Sequence, residues 1–430
     1  MKTYRSPVIL ILDVVNLKKL FLKTVENLSN TINSYEFKIT SRKKPQYFSR
    51  KGRLGFVNTI LNTLNYNNKS QQIELDKFFK LTGSSESVTK QAFSKIRQQI
   101  DPNAFKQLFN ETVYNAVESQ GDLEKLRDYT PIAIDGSTIS LENSYELLER
   151  FGHYGNGEKT CTARISIACN CLNGIIYDAN IDSYKVGERK FAKSHIERIS
   201  EIGVYNPLII MDRGYFSDDI LKQIENLGFR YIMRVKDRWH TKEIAKTENG
   251  AWANLSDGLT SRVIKLTLSS GEIETLFTNL AEFEISEFME LYALRWGVET
   301  KYAVVKNKLM LENFTGKTCV AIMQDFWATM MLSNLTSFLK IETDEAIGAD
   351  NKGKGLKYEY QTNTNILIGK LKDNLVLMLL FDNEQTRQSI FDDIVSQIVK
   401  NRIPIRPNRH DPRTKHSRKR KFNSCTKGTL

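Results

Sequence analysis

Cysteine is scarce in this chain and badly placed for a metal. The five residues Cys161, Cys169, Cys171, Cys319 and Cys425 form no C-x-x-C pair and no Cys/His cluster of zinc spacing, which argues against structural zinc. So few thiols fit a reducing, cytoplasmic setting. Long apolar runs are missing too. Stretches such as residues 375–381 are too short for a bilayer, which takes about 20 apolar residues in a helix. The N-terminal run, residues 8–15, is broken by Asp13 and followed by no small-residue cleavage site, so a signal peptide is not expected. The composition is not that of a disordered chain. With 40% hydrophobic and 10% aromatic residues over 430 positions, there is room for a sizeable core and roughly two or three domains.

What is present in quantity is charge, unevenly placed. The net charge is +12: residues 1–100 carry +12, residues 101–399 carry −10 and residues 400–430 carry +10. Basic ends flanking an acidic middle attract a polyanion in a salt-dependent way, and nucleic acid is the first candidate. A solvated lysine-rich surface is the plainer reading, and the run Arg418-Lys-Arg-Lys421 alone supports no more than that.

Residues 1–120 read as a helical, basic region with helices over 71–81, 88–100 and 103–118. The first two are separated by a turn-rich link in which Ser87 is placed to cap the second. This is the outline of a helix-turn-helix, with a plain helical bundle as the competing reading. Its middle helix would display Lys90, Gln91, Ser94, Lys95, Arg97 and Gln98, side chains suited to phosphates and base edges.

From Tyr129 the texture changes to strands. The apolar run 131–135 ends in Asp135 and is followed by Gly136. A second strand, 163–171, leads through Asn173-Gly174 into 175–181, a hairpin signal. Three antiparallel strands are expected, with Cys169 and Cys171 facing the same side. After Gly187 comes a helix stopped at Gly203, with Phe191, His195, Ile196, Ile199 and Ile202 on one side, so His195 reads as a core residue. The run 206–212 again ends in an acid, Asp212, followed by Arg213-Gly214. A helix from Ser217 to Gly228 and a strand over 229–235 complete a βαβ unit, hence a parallel pair. An acid at the C-terminal end of such a strand faces the crevice where open α/β sheets place ligands, although a turn or cap role is the plainer reading of Asp212 alone.

Residues 236–285 read as an insertion containing two strands, 262–268 and 272–278, with Trp239 and Trp252 available for packing or base stacking. Farther on, 319–339 reads as a core helix, 349–355 and 361–365 as loop, and 366–382 and 385–400 as two more helices ahead of a basic, extended or disordered tail. Residues 291–306 read as an amphipathic helix. Tyr292, Arg295, Glu299 and Lys306 project within about 60° of one another at helical pitch. Leu291, Leu294, Val298, Val305 and Leu309 form an apolar stripe beside them. Taken alone, that charged face is most simply a solvated one.

Asp135, Asp212 and Glu299 together change the reading. Three carboxylates brought over one edge of a mixed sheet are hard oxygen ligands suited to Mg²⁺ or Mn²⁺, and a pair of such ions supports phosphoryl transfer on nucleic acid. At these residues the chain resembles the DDE transposases of bacterial insertion sequences, in the branch called insertion sequence four. The resemblance rests on Ile134-Asp135-Gly136, on Asp212-Arg-Gly-Tyr215, and on Tyr292, Arg295, Glu299 and Lys306, which match the Y-x2-R-x3-E-x6-K signature of that branch without a gap. Arg295-Trp296, Thr278-Asn-Leu280 and the basic end beyond Arg406 extend the likeness over roughly residues 70–420.

The resemblance implies an α/β fold: an RNase H-like mixed-sheet catalytic core over 121–340 with a small β-rich insertion at about 236–285. A helical N-terminal DNA-binding region, 1–120, would precede it, and C-terminal helices with a basic tail, 341–430, would follow. It also implies a metal-binding catalytic triad of Asp135, Asp212 and Glu299 holding two Mg²⁺ or Mn²⁺ ions. DNA contacts would come from Tyr292, Arg295 and Lys306, with Trp296, Arg213, Lys90, Lys95 and Arg97 beside them. Trp239, Trp252 or Trp296 would be the candidates to hold a flipped base. The partners implied are double-stranded DNA, both element ends and target, and a second copy of the chain in a synaptic complex, in the bacterial cytoplasm at the nucleoid. The activity implied is cleavage at the element's inverted repeats and joining to target DNA. An RNase H-like nuclease without strand transfer, or a non-catalytic DNA-binding relative, are the alternatives.

Overall fold

The computed structural model describes residues 18–50, 52–65, 70–83, 86–155, 160–235, 240–256, 258–268 and 270–406. The expected roles of Trp239, Cys425 and the run 418–421 lie outside the described residues.

Six helices open the described chain: α1 (Lys18–Asn33), α2 (Tyr35–Ser41), α3 (Phe56–Leu64), α4 (Gln71–Leu81), α5 (Lys90–Arg97) and α6 (Asn103–Glu118). The bounds of α4 and α6 agree with the apolar periodicity of the sequence. The second expected helix is shorter than its pattern, because Thr89 rather than Ser87 caps it, accepting a bond from the Ala92 amide at 3.2 Å. Ser87 instead donates to Asp76 on α4.

The middle of the chain builds one mixed sheet from β1 (Thr130–Ser140), then α7 (Tyr145–Phe151), β2 (His153–Tyr154), β3 (Thr160–Asn170), β4 (Ile176–Ser183), α8 (Glu188–Glu201), β5 (Pro207–Met211), α9 (Asp218–Asn226) and β6 (Arg230–Arg234). After α10 (Thr241–Lys246) it continues with β7 (Trp252–Ser256), β8 (Leu259–Thr267) and β9 (Ile273–Thr278). The expected antiparallel trio is β1, β3 and β4, and its hairpin turns at Gly174, whose φ of 65° is easy only for glycine. Cys171 lies one residue past the end of β3, so it is not a strand neighbour of Cys169. The expected parallel pair is β5 with β6, and β1 also runs parallel to β5.

Strand order among the described residues is β2-β3-β1-β5-β6-β9-β8-β7, with β4 beside β3. The strands of the stretch read as an insertion therefore carry on the same sheet, through antiparallel pairing of β9 with β6.

The charged stretch of the sequence forms α11 (Phe288–Ala293) and α12 (Trp296–Ala303), followed by a π-helical turn over Val304–Lys308. It is thus not a single regular helix. The α-pattern lapses at Leu294 and Arg295, and the amide of Leu309 reaches back five residues to Val304 O at 2.9 Å. Beyond it, α13 (Cys319–Asn351) is a 33-residue helix that runs past residue 340 and takes in the first three residues of the stretch read as a 349–355 loop. It is buried along most of its length and packs against α6, α1 and β4. The short β10 (Tyr360–Gln361), α14 (Thr364–Leu380), α15 (Glu384–Lys400) and β11 (Ile403–Pro404) complete the fold. Among the described residues no helix is long and apolar enough to cross a membrane.

Candidate active site

Asp135 sits at a break in the sheet. β1 continues through Ser140 against β3, but its pairing with β5 ends at Ala133 opposite Ile210. The acid therefore stands mid-strand rather than at a strand end, where one neighbour leaves and the other stays. Asp212 follows directly on the fully buried β5. The two acids come from adjacent parallel strands, at the C-terminal edge where such sheets present ligands.

Side chains alternate along β1, so Asp135 and Ser137 share one face and Gly136 the other. On the Gly136 face a Cβ would lie 3.1 Å from the Tyr215 hydroxyl and 3.3 Å from Glu188 Cγ, so only glycine leaves them room. Opposite, the α11–α12 segment closes over the acids. The Tyr292 hydroxyl donates to Asp212 Oδ1 at 3.3 Å, Arg295 Nη2 reaches Glu299 Oε1 at 2.8 Å, and Lys306 Nζ donates to Ser137 Oγ and Thr138 O at 2.6 Å each. Gly297 lets this segment seat on the sheet: a Cβ there would meet Cys171 O at 3.0 Å and Cys171 Cα at 3.2 Å.

The electrostatics bind these groups into one neighbourhood. Burial pushes the Asp135 carboxyl up to about 6, with Glu299 and Glu188 adding like charge while the Gly136 amide and Arg295 oppose the rise. Burial also raises the Tyr292 phenol, helped by the negative charge of Asp212. Burial works against the charge of Arg295, yet the hydrogen bond it donates to Glu299, with Tyr292 and Asp212 nearby, holds its pKa above the usual value. Arg295 Nε is buried with no hydrogen-bond partner among the described residues, a donor in want of an acceptor.

The oxygen donors have the chemistry for a hard divalent cation. With Glu299 engaged by Arg295, however, no three His, Cys, Asp or Glu side chains among the described residues gather closely enough to hold one ion. The carboxylates converge without forming a closed ligand set.

The other expected site residues divide. Trp296 is 46% exposed beside Arg295, whose guanidinium lies 5.1 Å from its ring centroid. Arg213 is exposed next to Asp212, and Lys90 and Lys95 are exposed on α5. Arg97 is a correction. It is 2% exposed, ion-paired with Asp325 at 2.9 Å and bonded to Gln324 Oε1 at 2.8 Å and to Thr315, so its donors are spent inside the protein and none faces DNA. Trp252 is half exposed on β7, the last strand in the sheet order.

Sequence reasoning missed Arg234, which lies 3.9 Å from Asp212 Oδ1 and 2.7 Å from Glu274. It also missed Glu188, paired with Arg164 at 2.9 Å. Both stand at element ends, Arg234 closing β6 and Glu188 opening α8; for Arg234, its place on the strand after that of Asp212 could have flagged it.

Residues 126–335, which contain β1 through α12 and with them all three acids, match the model of the family described as transposase DDE domain. The chain is also 24% identical over 153 residues to the transposase for insertion sequence element IS1151 of Clostridium perfringens. That match covers 35% of this chain and 32% of the relative, so the chain spans about a third of the length of the curated relative it matches. Among solved structures it is similar to a cryo-EM structure of the piggyBac transposase synaptic complex with hairpin DNA, with a TM-score of 0.45 and 12% identity over 96% of this chain and 91% of that one.

Proposed function

We propose that this chain is a DNA transposase of the insertion sequence four kind, with an RNase H-like core, that cleaves at the inverted-repeat ends of its own element and joins them to target DNA. The observation that carries the reading is that Asp135, Asp212 and Glu299 all lie within electrostatic reach of Arg295 at one edge of the sheet, with Tyr292 bonded to Asp212 and Lys306 to Ser137. The match of residues 126–335 to a transposase DDE domain supports it.

Asp135, Asp212 and Glu299 would hold Mg²⁺ or Mn²⁺, as a pair of ions. When bound, such ions supply the Lewis acidity that activates a water or 3′-hydroxyl and stabilises the leaving oxygen. The chain's own groups do the placing. Arg295, with its unpaired Nε, and Lys306 grip phosphate oxygens. Tyr292 orients the Asp212 carboxylate, and Trp296 offers a stacking face to an end base. Arg213 beside the site and Lys90 and Lys95 on α5 add phosphate contacts, the latter two from the helical N-terminal region. A homodimer on double-stranded DNA, in the bacterial cytoplasm, is the working assembly, since two ends must be joined together.

Glu299→Gln tests the reading. Divalent-metal-dependent cleavage of element ends is expected to fall by at least about 10²-fold while DNA binding persists; undiminished cleavage overturns the assignment. Strand transfer from precleaved ends separates a transposase from an RNase H-like nuclease that only cuts.

A further inference from the structure

Behind Asp135, on the face of the sheet covered by α8, runs a buried chain of polar side chains. Asp178 Oδ2 lies 2.7 Å from His195 Nδ1, His195 Nε2 lies 2.9 Å from Ser166 Oγ, and Ser166 Oγ donates to the carbonyl oxygen of Asp135 at 3.1 Å. Ser166 and His195 are fully buried and Asp178 is 8% exposed. The three residues come from β3, α8 and β4, so the chain spans three elements behind the acid. The order Ser-His-Asp is that of a hydrolase triad, but Ser166 is sealed from solvent and its proton is committed to Asp135, so it is no nucleophile.

Proton counting defines what the chain does. A hydroxyl has one proton. If Ser166 gives it to Asp135 O, the Ser166 oxygen accepts from His195 Nε2; Nδ1 donates to Asp178 as well only when both ring nitrogens carry protons, and Asp178 Oδ2 also receives the Asn180 amide at 3.3 Å. From the opposite face the Asp135 carbonyl also accepts the Tyr302 hydroxyl at 2.8 Å. Tyr302 stands on α12, three residues beyond Glu299. The Asp135 carbonyl points toward β3, with which β1 stays paired through Ser140, while on the other edge β1 has lost β5 beyond Ala133.

We propose that Ser166, His195 and Asp178 are positioning residues for Asp135. They fix the backbone of β1 at Asp135, just beyond the end of its pairing with β5, so that its carboxylate keeps a fixed station relative to Glu299, with Tyr302 as the tie to the helix of that acid. The catalytic part of this inference rests on the proposed function; the mechanical part does not. Nothing in it requires Ser166 or His195 to touch DNA.

Two measurements on the full chain test it, with Ile199→Val as control, a buried α8 substitution that shortens a side chain without touching the relay. The first is the Mn²⁺ concentration that half-saturates thermal stabilisation and end cleavage. Ser166→Ala is expected to raise it about tenfold to a hundredfold, the range for residues that orient a metal-binding group, and Ile199→Val to leave it unchanged. The second is amide hydrogen exchange over residues 134–138, which is expected to quicken in Ser166→Ala and not in Ile199→Val. A Ser166→Ala protein with wild-type half-saturation and wild-type exchange overturns the proposal, and so does an equal response in the control. If the wild-type chain shows no Mn²⁺-dependent cleavage at all, the functional reading falls, and the exchange measurement alone decides the positioning role.

Discussion

Two arginines, each on a basic helical stretch and each expected to face DNA, end in opposite situations. Arg97 on α5 turns inward and is spent on Asp325, Gln324 and Thr315, tying the N-terminal helices to α13. Arg295, between α11 and α12, is also mostly buried, but its partner Glu299 is 40% exposed and its Nε lacks an acceptor. The first has all its bonding satisfied by the fold. The second is held in place by the fold with capacity left over, which is the mark of a group that meets a ligand. Periodicity reports which side chains share a helix face; it does not report whether that face turns toward a core carboxylate or toward solvent.

That contrast can be broken by substitution. Arg97→Ala strands a buried Asp325 and is expected to cost about 3–5 kcal/mol of stability, read in chemical denaturation. In Arg295→Ala the melting point is expected to change far less while end binding or strand transfer weakens; the reverse pattern would erase the distinction between the two. Next comes Gly297→Ala, which pushes a methyl against the Cys171 backbone. A loss of about 1–3 kcal/mol is expected, with end cleavage reduced further than the stability loss explains, because the helix that carries Glu299 must lift.

Asp135 gives a smaller, pH-dependent effect. Its carboxyl is raised to about 6 chiefly by burial, so its contribution to stability is complete below its ordinary value and is lost as pH rises through about 6. In chelator, Asp135→Asn is therefore expected to abolish the loss of stability between about pH 4 and pH 6 and to leave the protein more stable than wild type above pH 6, by roughly 3 kcal/mol at most. Matching pH profiles for the two proteins would show that the carboxyl is not desolvated. Smallest of all, Lys90→Ala and Lys95→Ala should each change stability by less than about 0.5 kcal/mol. If α5 lies on DNA, each also lowers the salt slope of binding by about one.

Much of the framework was legible in the residues. The apolar spacing of α4 and α6, the Asn173-Gly174 turn, and the strand-helix-strand run around Asp212 are local signals, and local physics decides them. Contacts distant in sequence were not legible. Nothing near β9 announces that it pairs with β6, and the Lys-Gly-rich stretch after Ala349 gives no sign that α13 continues into it. The site was readable as three acids and a spaced set of cations. The break at Leu294, the π turn before Leu309 and the chain behind Asp135 were not, since each is imposed by packing between elements far apart in sequence. His195 was read as a core residue, which its burial bears out, but its bonds to Asp178 and Ser166 depend on the β3–β4 register, which no helical pattern reveals.

The hydroxyl of Tyr302 reaches the carbonyl of Asp135 across 167 residues of chain, and that separation sets an order in time. On a ribosome adding about 5–20 residues each second, β1 and β5 are made several seconds before the segment that brings Glu299 and Arg295. A newly made chain can therefore pair β1 with β5 and present two of its acids before Glu299 and the helix that carries it exist to close over them.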